Sequence, residues 1–188
     1  MATNKFNEYL SSLPHMRPVL LDELRGIAGS EIIRNRQVRH SGFHTPPQLL
    51  FIEEGLLHRY YINEQGAQVS IGFFVPGEAL LLLGKPRDAE NDYLESLQHT
   101  QVRTIAQQDV EHLLPEYPEI KLAIIHLIRT EFAREAIRTR LLHMPAILRY
   151  SKFRELSPGV FRNVPLRLIA SYLNMTRENL SRLIGRER

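Results

Sequence analysis

The 188-residue chain contains no cysteine. That absence removes disulfides, thiolate zinc sites, cysteine-ligated iron-sulfur clusters and cysteine nucleophiles, and leaves four methionines as the only sulfur. Long hydrophobic runs are also missing. No stretch approaches the roughly 20 apolar residues that span a bilayer, and positions 1–13 read as an amphipathic segment without the apolar centre of a signal peptide. A cytoplasmic chain without a membrane partner is expected. Gly-rich phosphate loops, nucleophile elbows, internal repeats and low-complexity tracts are absent too. None of the eight histidines has a partner at zinc-like spacing, so no metal, no cofactor and no enzymatic activity are expected.

What is present is a chain that is 43% hydrophobic, enough for a buried core in one large or two small domains. Its charge is unevenly spread. Residues 1–120 carry 10 Lys+Arg against 16 Asp+Glu, a net of −6, whereas residues 121–188 carry 14 against 5, a net of +9. Within 145–188 there are nine basic and three acidic side chains, and eight of the nine are arginine, the residue that takes phosphate and guanine edges bidentately. This half of the chain suits a polyanion; a solvated helical face is the competing reading of the charge alone.

The apolar pattern predicts two short helices at the start, from Phe6, Leu10 and Leu13 and from Leu21, Leu24 and Ala28. From Glu31 to about Ile105 the apolar runs are short and broken by turn signals such as Pro46-Pro47, Gly55, Asn63-Glu64-Gln65-Gly66 and Pro76-Gly77, the pattern of a small antiparallel barrel or jelly roll. Its clearest hairpin pairs Leu56–Ile62 with Gln68–Phe74. A long helix then spans Pro118–His143, with Ile120, Ile124, Leu127, Ile128, Phe132, Ala136, Ile137 and Leu141 on one broad stripe. Such a helix suits a homodimer seam; packing on its own barrel is the alternative. A further helix over 146–156 is expected to close at Ser157-Pro158-Gly159.

The strongest local signal runs from Val164 to Gly185. Pro165 suits the start of a helix over Leu166–Leu173, Asn174 suits a left-handed turn, and Thr176 suits the cap of a second helix. Ala170 is small where two helices must cross closely, and Ile169, Leu173, Met175, Leu180 and Leu183 fill a small core. Thr176, Arg177, Glu178, Asn179, Ser181, Arg182 and Arg186 remain on the exposed face, a set suited to base edges and phosphates of double-stranded DNA.

The run Ile169–Leu183 resembles the helix-turn-helix of the Crp/Fnr superfamily, the cyclic AMP receptor protein and its relatives. Leu50–Leu56, the hairpin after it and Phe73–Glu78 resemble that family's cyclic-nucleotide-binding-like barrel, and the long helix resembles its dimerisation helix. The resemblance implies an α+β transcription regulator with a sensor barrel and N-terminal helices over 1–117, a dimerisation helix over 118–143 and a DNA-binding domain over 144–188. It implies base contacts by Arg177, Glu178 and Arg182, and RNA polymerase as a partner. Thr176, Asn179 and Ser181 are then phosphate or adaptable contacts, Arg186 is a further DNA-binding candidate on the same face, and Arg167 reaches the DNA backbone.

The sequence departs from the family in two places. After Gly77-Glu78, the arginine and hydroxyl that hold a cyclic phosphate are not found in register. The loop instead carries Arg87 and Asp88 with Glu90 and Asp92, and its carboxylates repel an anion. We therefore expect a degenerate pocket that does not take cyclic AMP, with Gly77, Glu78, Arg87 and Asp88 as candidate contacts to an unknown small-molecule effector. The chain also ends at Arg188 without the hairpin wing that often follows the recognition helix. Two rival readings are a cupin-like metal-dependent barrel enzyme, using His40, His44, Glu53, Glu54 and His58, and a sensor whose helix-turn-helix mediates protein contacts. The cupin reading lacks the His-x-His pair at Gly42–Pro46.

Overall fold

The computed structural model describes residues 5–40, 46–82 and 92–186. Helices α1 (Lys5–Ser12) and α2 (Pro18–Ile27) open the chain. Eight strands follow among the described residues: β1 (Gly29–Ile33), β2 (Val38–His40), β3 (Gln48–Glu54), β4 (Leu57–Ile62), β5 (Gln68–Phe74), β6 (Ala79–Leu82), β7 (Asp92–Ser96) and β8 (Thr100–Ala106). Helix α3 (Gln107–Leu113) leads into the long α4 (Ile120–Leu142), and α5 (Ala146–Leu156), α6 (Pro158–Asn163), α7 (Leu166–Tyr172) and α8 (Arg177–Gly185) complete it. No helix of the described residues is long and apolar enough to cross a membrane.

The strands form two antiparallel sheets ordered β1-β8-β3-β6 and β2-β7-β4-β5. This is jelly-roll order, so the expected barrel takes the form of two packed four-stranded sheets. Strand β3 shows how the sequence produces it. Its side chains alternate between faces: Leu50 and Ile52 join Ile33, Leu57, Phe74, Leu80, Leu82, Leu94 and Val102 between the sheets. Leu49 and Phe51 point the other way and pack with Phe6, Leu10, Leu24 and Ile120 under the helices. A strand buried on both faces has to be apolar throughout, and β3 is from Leu49 to Ile52. Beyond it Gly55 sits at φ +95°, where a Cβ would lie 2.5 Å from the Thr100 Cα, so only glycine fits.

The predicted hairpin is present as β4 and β5. Asn63 holds its turn, Oδ1 accepting from the Gln65 and Ala67 amides at 3.1 and 2.8 Å, while Gly66 supplies a φ of +75°. Strand β5 is the edge of its sheet. Its free edge is covered by α7 and by a side chain of α4: the Ser70 amide donates to Ser171 Oγ at 3.0 Å, and Arg138 of α4 donates to the Ser70 carbonyl at 3.4 Å.

Helix α2 is present, with Leu20 and Leu24 buried and Leu21 and Ala28 packed partly buried against the same cluster. Two expectations need correction. Ser157 ends α5, but Pro158 then opens α6 instead of a loop. The broad stripe on α4 is split between two faces. Ile120, Ala123 and Leu141 are buried against the rest of the chain and Ile124 and Leu127 partly so, whereas Leu122, Ile125, Phe132 and Ile137 are exposed, Phe132 at 72%.

Candidate nucleic-acid interface

The two helices α7 and α8 are joined by a tight turn whose geometry follows from its residues. Helix α7 ends in a Schellman arrangement: the Asn174 amide donates to the Ser171 carbonyl at 3.1 Å, and the Met175 amide to Ala170 at 3.0 Å. That closure needs a left-handed residue between, and Asn174 provides it at φ +48°. The carbonyls left over at the helix end are taken by Arg149 of α5, whose guanidinium donates to the Leu173 and Asn174 oxygens while also holding the Met144 carbonyl. Arg149 was legible in the sequence only as part of the basic excess; its role is internal.

Thr176 then caps α8, its hydroxyl oxygen accepting from the Asn179 amide at 3.1 Å. Ala170, Ile169 and Leu173 of the first helix and Leu180 and Leu183 of the second are buried together, with Met175 packed against them. This apolar cluster continues into α5 and α6 through Tyr150, Phe153, Val160 and Val164, and into the sandwich through Leu56 and Phe73. The Phe73 and Tyr172 rings meet at 5.5 Å. The second helix is thus fixed from beneath by apolar packing, and its polar face is presented outward.

Thr176, Arg177, Glu178, Ser181, Arg182 and Arg186 are exposed, Asn179 is half-buried, and Arg167 is exposed on the first turn of α7. Residues 178 and 182 lie one helical turn apart on one face, as do 177 and 181. The basic excess of the C-terminal region therefore divides. Arg149 and Arg154 serve internal contacts and Lys152 pairs with Glu155 at 3.0 Å, whereas Arg162, Arg167, Arg177, Arg182 and Arg186 face solvent.

Gly77 and Glu78, the candidate effector contacts, form the turn between β5 and β6. Gly77 has φ +92°, and the Glu78 carboxylate accepts the Val75 amide at 2.9 Å and lies 3.5 Å from Arg134 of α4. Arg134 is also stacked 4.7 Å from the Phe74 ring. Next to it Arg59 of β4 meets Glu135 at 3.1 Å and Glu131 at 3.8 Å. Burial pushes the Glu131 carboxyl up, with the Arg134 and Arg59 charges opposing it. A chain of paired charges thus joins the sandwich to the middle of α4, and Glu78 is already engaged in it. Arg87 and Asp88, the other two candidates, lie outside the described residues.

Of the histidines weighed for a metal, His44 and the side chain of His40 lie outside the described residues. His58 is fully buried, stacked 5.1 Å from both Tyr60 and Phe73, with Nε2 2.9 Å from Ser70 Oγ. No cluster of three or more metal-ligating side chains occurs among the described residues. Burial, and secondarily the charge of Arg167, push its imidazole down to about 4, so it is neutral at pH 7.

No protein-family model matches the sequence, and no curated protein is similar enough to match. Solved structures do match. FixK2 from Bradyrhizobium japonicum superposes with a TM-score of 0.73 at 18% identity, over 85% of this chain and 84% of that one. A regulator assigned to the Crp/Fnr family, from Eubacterium rectale, gives 0.69 at 13% identity over 98% and 86%. A mutant of CooA from Carboxydothermus hydrogenoformans gives 0.66 at 14% identity over 99% and 84%. The chain therefore has the fold of the Crp/Fnr regulators, an antiparallel jelly roll followed by a long helix and a helix-turn-helix.

Proposed function

We propose that the chain is a transcription regulator of the Crp/Fnr type that binds specific sites on double-stranded DNA through α8. One observation carries this reading: Arg177, Glu178 and Arg182 stand exposed on a capped helix held rigidly by the cluster beneath it. Arginine can take guanine O6 and N7 together and glutamate can accept from cytosine N4, so the three residues read base edges in a major groove. Thr176, Asn179, Ser181 and Arg186 contact phosphates or adapt to flanking bases, and Arg167 reaches the backbone from α7.

The working unit is a homodimer joined through the exposed Leu122, Ile125 and Phe132 of α4, which lie three and seven residues apart in the heptad register of a helix seam. Two copies of α8 then meet successive major grooves, with half-site centres about 34 Å apart. The units that cooperate are the sandwich with its N-terminal helices (1–117), the seam helix (118–143) and the DNA-binding region (144–188). The bound dimer acts on RNA polymerase in the cytoplasm. Glu78 is committed to Arg134 and to its own turn, which supports an effector pocket that does not hold a cyclic phosphate.

Selection from a randomised duplex pool tests the reading. The protein enriches a pseudo-palindromic site, and Arg182→Ala costs about 1–3 kcal/mol on that site and relaxes one base pair in each half. No enrichment at low ionic strength, with and without cell extract, overturns it.

A further inference from the structure

On the outer face of the β3-β6-β8 sheet, away from the α7–α8 pair, the helices leave a cavity of about 280 Å³. Leu49, Leu81 and Ile105 form its floor, Leu10, Leu13 and Leu24 one wall, and Ile120, Ala123, Ile124 and Leu127 of α4 the opposite wall. Its polar lining is confined to Gln48, Gln107 and Glu111. Gln107 and Glu111 are exposed and hydrogen-bonded to each other at 2.6 Å, which marks them as the mouth. The space opens to solvent at that mouth, yet its lining offers water almost no hydrogen-bond partners, and a shaped, largely apolar cleft of this kind favours apolar guests.

We propose that this cavity is a binding site for a small, uncharged apolar molecule, of the size of indole or a short-chain alcohol. Size sets the upper limit. Charge sets the class: Glu111 is the one charged residue among the described residues lining the cavity, and no lysine or arginine lines it with Glu111. A carboxylate or phosphate has no counter-charge there and meets a carboxylate at the mouth, whereas a hydroxyl or ring N–H finds acceptors in Gln48, Gln107 and Glu111. The site is separate from Glu78, which sits in a neighbouring cleft with Tyr9, Glu131 and Arg134. One wall is the first two turns of α4, so an occupant bears directly on the helix proposed as the seam.

Isothermal titration calorimetry with indole, n-hexanol and hexanoate tests this on the full chain, with no DNA present, so that its failure is distinct from failure of the DNA-binding reading. Indole or n-hexanol binds with a dissociation constant below 1 mM, and hexanoate at least tenfold more weakly. Ala123→Phe, which fills the cavity from the α4 wall, weakens the neutral probes at least tenfold. Ile124→Phe does the same from the adjacent turn and serves should the first variant fail to fold; circular dichroism and the thermal midpoint verify folding of each. The proposal is overturned if no neutral probe binds below 10 mM, if hexanoate binds as well as n-hexanol, or if a folded filling variant binds unchanged. It is equally overturned if the probes bind only when the chain is made monomeric by Phe132→Glu, since a second copy then occupies the space.

Discussion

At the scale of single residues, two positions carry more than their side chains suggest. Asn174 is held left-handed because the Schellman closure of α7 demands it. A Cβ in that region costs about 1–2 kcal/mol without local compensation, while glycine pays no such cost. Asn174→Ala should therefore lower unfolding stability by about 1 kcal/mol in urea, and Asn174→Gly should lose less; the reverse order contradicts the turn assignment. His58 is buried among rings, with Glu95 3.7 Å from Nδ1, too far for a hydrogen bond. Its folded pKa of about 4 lies below the unfolded value, so its contribution is complete above about pH 6.5 and is lost as pH falls toward 4. The loss is of the order of 3 kcal/mol. Urea midpoints at pH 7 and pH 5 should differ more for the native chain than for His58→Gln, and equal differences would refute the burial account.

At the scale of elements, α4 has three surfaces. Its beginning and end are apolar toward the chain, its middle pairs Glu131, Arg134 and Glu135 with Arg59 and Glu78 of the sandwich, and a third face carries Leu122, Ile125 and Phe132 into solvent. Large apolar groups exposed along one helix face are the mark of an interface. Phe132→Glu should give a folded monomer by sedimentation velocity, with specific DNA binding weakened. Persistence of the dimer would move the seam elsewhere. Ile124, which belongs to the same sequence stripe, is the wrong residue for that test, because it lines the apolar cleft against the N-terminal helices and a charge there destabilises the chain itself.

That distinction shows which parts of the molecule were legible in the sequence. The helix-turn-helix could be read because its determinants are local: Thr176 caps three residues on, Asn174 closes the helix just before it, and Ala170 and Leu180 meet across one turn. The hairpin at Asn63–Gly66 was legible for the same reason. Sheet order was not, since Ile33 pairs with Thr100 and neither neighbourhood names the other. Which face of α4 turns inward was not legible either, because the apolar residues on both faces fall into one stripe wide enough to hide the division. The docking of α7 along the β5 edge joins Ser70 to Ser171, 101 residues apart, through two small polar side chains without any motif.

For the whole molecule, charge and architecture agree. The acidic part of the sequence builds the sandwich and its covering helices, and the basic part supplies α4 and the helices whose exposed arginines surround α8. On the proposed DNA-binding reading, long-range attraction draws such a surface to a duplex and falls with salt, whereas contacts from the α8 face distinguish the sequence. Because the native chain has no cysteine, one introduced thiol can be labelled uniquely. Gly185 at the end of α8 is suitable, being exposed with open space where a Cβ would stand. An iron-chelate cleaving reagent attached to Gly185→Cys and bound to the selected site should cut the duplex in two clusters about one helical turn apart, one per half-site. Diffuse cutting, no stronger than from a label at Glu8→Cys, exposed on α1 and packed in a different cluster from α8, would contradict the assignment of α8 to the groove.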